Sequence, residues 1–73
     1  MAINMKTAVS SNIAAYGYDP QTQVLDVQFV NNPDTTYSFD NVPENVYRGL
    51  DSAASPGAYF HNNIKGRYRF YKA

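Results

Sequence analysis

Four of the six positive charges in this 73-residue chain fall in its last nine residues, KGRYRFYKA, interleaved with three aromatic rings. An arginine presents a planar fork of donors that matches phosphate oxygens, and a tyrosine beside it can stack on a base or on the guanidinium. Lys65, Arg67, Arg69 and Tyr71 are therefore candidate contacts for a phosphate-bearing ligand. The same residues on a solvated edge strand would protect it from aggregation with no ligand involved. Convergence of the charges on a concavity would separate these readings.

Other residue types capable of chemistry are sparse. His61 is the sole histidine and there is no cysteine, so thiolate metal sites are excluded and only scattered carboxylates remain as metal ligands. A Ser-His-Asp arrangement built from Ser10, Ser11 or Ser55 lacks any nucleophile-elbow context, which argues against an enzyme. No cofactor is implied. His61 reads as a polar helix residue that can reach a ligand. Ser55 reads as a helix N-cap, and Gly57 beside it would let an anion approach the helix N-terminus. The pairs Ser10-Ser11 and Asn62-Asn63 suit strand-start and helix-end backbone groups better than a ligand.

Composition narrows the class. With 44% hydrophobic and 15% aromatic residues, the chain can bury a core. At this length a folded chain buries only about 60% of its unfolded surface, so residues 1–73 are read as one small domain of modest stability, with homo-oligomerisation expected. The start MAINMKTAVSS lacks a long apolar run and no stretch could span a bilayer, which predicts a cytoplasmic protein without membrane contact. The net charge of zero hides a division. Residues 1–60 carry two cations against six acids, a charge of −4, while residues 61–73 carry +4 with no acid. Such separation marks an anion site or a contact between copies of the chain.

The elements that must position these residues follow from periodicity. Turn signals at Asp19-Pro20 and at Asn31-Asn32-Pro33-Asp34 divide the first half into strands expected over 11–18, 23–30 and 35–40. Leu25, Val27 and Phe29 alternate with Asp26 and Gln28, and Tyr37 and Phe39 continue the apolar face. Tyr16 and Tyr18 read first as half-buried core rings, but by the same period they lie opposite Ile13, so a buried Ile13 would turn both outward or toward a partner, available for stacking. From Pro43 the period becomes helical, with Val46, Tyr47, Leu50, Ala53 and Ala54 on one side. Gly49 inside this helix costs about 1 kcal/mol relative to Ala, which predicts close packing there. Ser55-Pro56-Gly57 ends it and starts a second short helix with Phe60 and Ile64 inward and Gly66 as its stop. RYRFYK reads as a last strand, with Tyr68 and Phe70 inward and Arg67, Arg69 and Tyr71 sharing the other face. The fold class is α+β, an antiparallel sheet of about four strands in the order β-β-β-α-α-β.

The order and spacing of AVSSNIAAYGYD, VLDVQF, YSF, VPENVYRGL and SPGAYFHNNIKGRYRF mean that the chain resembles the KTSC domain, named for its occurrence at the C-terminus of some lysyl-tRNA synthetases. The resemblance covers nearly all of the chain. It implies a small β-rich domain with a helical insertion before the last strand, found as a stand-alone protein in bacteria and phages. It implies no defined activity. His61 stands where the family usually shows Asn, which bears on a ligand contact, and NNPD replaces a shorter Gly-containing turn.

Three functional classes follow. The first is a non-enzymatic binder of a nucleotide or similar phosphate-bearing ligand, sequestering a nucleotide signal in a phage or bacterial setting. The second, suggested by the synthetase fusion, is a module for single-stranded nucleic acid or tRNA. Long polyanions usually select domains with pI above about 9, whereas this sequence has pI ≈ 6.5, so the first is favoured. The third is a protein-protein interaction domain.

Overall fold

The computed structural model describes residues 5–7 and 12–73. Its strands form an antiparallel meander, β1 (Lys6–Thr7), β2 (Ile13–Asp19), β3 (Val24–Phe29), β4 (Asn32–Phe39) and β5 (Phe70–Lys72), paired in chain order. Helices α1 (Glu44–Ser52) and α2 (Pro56–Asn63) are inserted between β4 and β5. The α+β class and the order of elements are as expected, with β1 adding a short strand at the sheet's edge. Ser10 and Ser11 lie outside the described residues.

The helices cover one face of the sheet. Register places Tyr16, Val27 and Tyr37 in one row of that face, and Tyr18, Leu25, Phe39 and Phe70 in the next. Ile13, Leu25, Val27, Val42, Leu50 and Ile64 are fully buried between the layers. On the other face Gly17, Asp26, Ser38 and Tyr71 form a row, held by Ser38 Oγ donating to Asp26 Oδ1 at 2.6 Å.

One irregularity reverses an expectation. Ile13 pairs with Phe29 but Ala15 pairs with Gln28, so Ala14 is an extra residue in β2. A bulge of this kind shifts the side-chain alternation by one position. Ile13 and Tyr16 therefore both face the core. Tyr16 and Tyr18 do not look outward: Tyr16 is buried, Tyr18 is half-buried, and both pack against Tyr47 of α1. A second irregularity accommodates Pro33. Phe29 pairs with Asn32 and Gln28 with Thr36, so 33–35 fall outside the β3 ladder and the missing proline donor breaks no bond in it.

Gly49 is where the two helices meet. A Cβ at this position would lie 2.1 Å from the Tyr59 hydroxyl, closer than any contact side chains tolerate. Overpacking of this sort costs about 1–3 kcal/mol, while Ala returns about 1 kcal/mol of helix propensity. Gly49→Ala is expected to give a net loss of stability in urea titration. A gain would show that Tyr59 swings clear without cost.

Candidate functional site

The chain reverses at the end of α2 to bring a basic segment under the sheet edge. Lys65 N–H donates to Phe60 O at 2.9 Å, Arg67 N–H donates to Ile64 O at 3.0 Å, and Gly66 between them has φ +79°, a backbone state that favours glycine. Asp40 N–H donates to Arg69 O at 2.9 Å, which starts the pairing of the tail with β4. The turn places Lys65 against the space between α2 and the strands.

That space is a groove of two adjoining chambers. The first, about 300 Å³, is walled by Phe29, Tyr37, Phe39, Phe60 and Phe70 with Lys65 and Gly66 at its border. The five rings make a closed circuit of contacts: Phe29–Tyr37 5.6 Å, Tyr37–Phe70 6.0 Å, Phe70–Phe39 5.3 Å, Phe39–Phe60 5.4 Å and Phe60–Phe29 5.3 Å between centroids. The second, about 210 Å³, is lined by Asn12, Ile13, Phe29, Asn31, Gly57, Phe60, His61 and Lys65. Phe29, Phe60 and Lys65 belong to both. No carboxylate lines either chamber among the described residues.

Charge pairing sharpens the picture. Lys6 is bridged to Asp51 at 3.2 Å and Arg48 to Glu44 at 2.6 Å, so both cations outside the tail are matched by acids. Among the described residues Lys65, Arg67, Arg69 and Lys72 form no ion pair or side-chain hydrogen bond, and all four are exposed. The acidic and basic halves of the sequence are thus also distinct on the surface.

The structure gathers some of the sequence-selected residues and separates others. Gly57, His61 and Lys65 share the polar chamber. Arg67 and Arg69 do not lie in a strand, because β5 begins only at Phe70; they sit in the turn and the extended segment leading to it. Tyr71 lies opposite Ser38 on the face away from the helices, and Phe70 keeps to the core side yet is 56% exposed. The buried aromatic row expected of this segment is confined to the half-buried Tyr68, since β5 is the outermost strand with no neighbour beyond it. Ser55 occupies the N-cap of α2 without a side-chain cap bond and lines neither chamber. Asn63 Nδ2 donates to Tyr59 O at 3.1 Å, the backbone role expected of it. Tyr16 and Tyr18 line neither chamber; Tyr16 donates to Asp51 Oδ1 at 2.7 Å and Tyr18 to Val42 O.

Comparison with known proteins places this geometry. The family model for the KTSC domain matches residues 9–68. The chain belongs to the KTSC family. A crystal structure of a KTSC domain protein from Yersinia pestis superposes with a TM-score of 0.89 at 34% identity, covering 99% of each chain. A lysine–tRNA ligase of Nostoc sp. is 42% identical over 60 residues, which are 82% of this chain but 10% of the ligase. A protein of Tsukamurella paurometabola is 37% identical over 65 residues, 89% of this chain and 94% of that one. The KTSC chain thus spans about a tenth of the length of the synthetases it matches. Among its described residues no helix is long and apolar enough to cross a membrane.

The residues of this KTSC groove that sequence reasoning missed include Asn12, Asn31, Phe29, Phe39, Phe60 and Phe70. Their types carried no signal, because periodicity assigned the phenylalanines to the core, Asn12 to the start of the first strand and Asn31 to a turn. Only the packing of α2 across β3 and β4 makes them neighbours.

Proposed function

We propose that this KTSC domain is a non-enzymatic binding module for a nucleotide or a similar ligand that joins a planar ring to a phosphate. The observation that carries the reading is Lys65, which borders an aromatic chamber on one side and a polar chamber on the other. An aromatic box can also hold an alkylammonium group by cation–π attraction. Here an ammonium guest would meet the Lys65 charge with no carboxylate to offset it, so a neutral ring is favoured. The phosphate would lie toward Lys65 and His61, with Arg67 and Arg69 as the next charges along the turn. The chamber volumes suit one nucleotide unit, at the small end of the about 300–1,000 Å³ range of ligand sites. A compact module of this type can sequester a nucleotide signal in a bacterial or phage setting.

Single-stranded nucleic acid or tRNA is the second reading, favoured by the synthetase relatives that carry a matching segment. Salt separates the two. Strand binding weakens steeply as salt rises, while a groove that stacks a ring and pairs one phosphate weakens less.

Calorimetric titration with AMP, adenosine and inorganic phosphate tests the proposal. AMP should bind more tightly than either part alone. Lys65→Ala removes one charge-assisted contact, worth about 1.5–3 kcal/mol, so affinity should fall about 10- to 100-fold. Arg67→Ala with Arg69→Ala, which removes the next charges outside the chambers, should weaken AMP binding at an unchanged melting temperature. A double variant that binds AMP as the wild type does would sink the reading. Native mass spectrometry of the purified protein would show a retained ligand and the subunit number together.

A further inference from the structure

We propose that the outer edge of β5 accepts an extended acidic segment of a partner protein as a sixth strand. Through Phe70, which also lines the aromatic chamber, this edge adjoins the groove, but the backbone groups it offers do not depend on what the chamber holds. Its backbone pairing defines it. Asp40 N–H donates to Arg69 O and Ala73 N–H donates to Thr36 O, so residues 69, 71 and 73 turn their backbone toward β4. By the alternation of an antiparallel ladder, the N–H and C=O groups of Phe70 and Lys72 point away from the sheet.

Sheets blunt such an edge with proline, a bulge, a covering element, a very short strand or a charged side chain, and β5 uses only the last two, being three residues long with Lys72 among them. β5 contains no proline, its pairing with β4 runs without a register shift, and no strand lies beyond it. Phe70 and Tyr71 are 56% and 49% exposed along it. The other edge strand, β1, has two residues, and its Lys6 is tied to Asp51 of α1.

Charge selects the occupant. Two copies pairing along the same edge would set two strands that each carry Lys72 and no acid about 4.8 Å apart, the spacing of neighbouring strands. No acid occurs in residues 61–73 to offset this, and like charges facing across a ladder are destabilising. Carboxylates on an incoming strand would meet Lys72. Register adds a sequence preference. Positions facing Lys72 and Phe70 are two residues apart on one face, so an antiparallel segment would carry an acid opposite Lys72 and a large apolar residue two positions later, opposite Phe70.

The test uses a capped heptapeptide, TETFTET, against the control TKTFTKT, followed by fluorescence anisotropy and amide NMR on the full chain. The acidic peptide is expected to bind at least tenfold more tightly and to slow hydrogen exchange at the Phe70 and Lys72 amides. Lys72→Pro removes an outward donor while sparing the bonds to β4, so it should weaken binding at least tenfold with an unchanged melting temperature. Lys72→Gln, which keeps the donor, should weaken it less. Equal affinity for the two peptides would overturn the proposal, as would wild-type binding by Lys72→Pro. Protection of both amides in the free chain together with a concentration-dependent dimer would assign the edge to a second copy instead, and overturn it too.

Discussion

Replacing Phe60 by Ala is expected to remove about 3–5 kcal/mol of stability, the usual cost of emptying a buried phenylalanine site. Phe60 is 6% exposed, with its ring centroid 5.3 Å from that of Phe29 and 5.4 Å from that of Phe39. It is the point where α2 is fastened to β3 and β4. Its carbonyl also accepts the N–H groups of Ile64 and Lys65, so the ring anchors the turn that presents Lys65. A 73-residue domain has a total stability of about 4–11 kcal/mol at typical values per residue. The variant should therefore be partly unfolded at room temperature, with a much lower urea midpoint. Phe60→Leu keeps most of the volume but loses both ring pairs, and should cost less than Phe60→Ala. If Phe60→Ala loses under 1 kcal/mol, the aromatic circuit does not hold the layers together. Edge-to-face pairs of this kind contribute about 0.5–1.5 kcal/mol each beyond area burial, and Phe60 takes part in two.

The sheet was legible because its signal is local. Alternation in VLDVQF and the turn at Asp19-Pro20 need only neighbouring residues, and Gln21 N–H donates to Asp19 Oδ1 at 2.9 Å in that turn. The bulge was not legible, since one alanine more or less in NIAAYGY leaves the composition unchanged while reversing which face Tyr16 takes. The placement of Pro33 within β4 was hidden for a related reason. A proline reads as a stop unless the partner strand is known to skip those residues. β1 has no alternation to read and is fixed by tertiary contacts, namely its pairing with Tyr16 and Ala15 and the Lys6–Asp51 bridge. At the candidate site, charge and glycine placement pointed to Gly57, His61 and Lys65 because such features stand out in one dimension. The aromatic wall did not stand out. Its five rings come from β3, β4, α2 and β5, and each looks like ordinary core when read alone.

Alkaline titration should expose a second fastening, between β2 and α1. Tyr16 is buried and donates to Asp51 Oδ1, and its phenol is pushed up to about 12, chiefly by burial and then by the hydrogen bond to the carboxylate. The unfolded chain would titrate this group near 10. A group whose folded value is raised favours the fold in its protonated form, so the contribution is fully present below pH 10 and is lost between about 10 and 12. At about 1.4 kcal/mol for each tenfold difference in proton affinity, the loss amounts to about 3 kcal/mol. Tyr18, also raised by burial, and Lys6, raised first by its hydrogen bond to Asp51, act in the same direction. Asp51 behaves oppositely. The Tyr16 and Lys6 hydrogen bonds hold its carboxyl below the usual range, so its contribution is present above the unfolded value and is lost as the solution becomes strongly acidic. Urea unfolding at pH 7, 10 and 12 should show the wild type losing stability steeply over the last interval, and Tyr16→Phe losing about 2 kcal/mol less over it. At pH 7 the variant should be weaker by about 1 kcal/mol, the net worth of one hydrogen bond. Parallel losses in the two proteins would mean that Tyr16 ionises freely in the folded state, and that the Tyr16–Asp51 contact does not fasten α1 to β2.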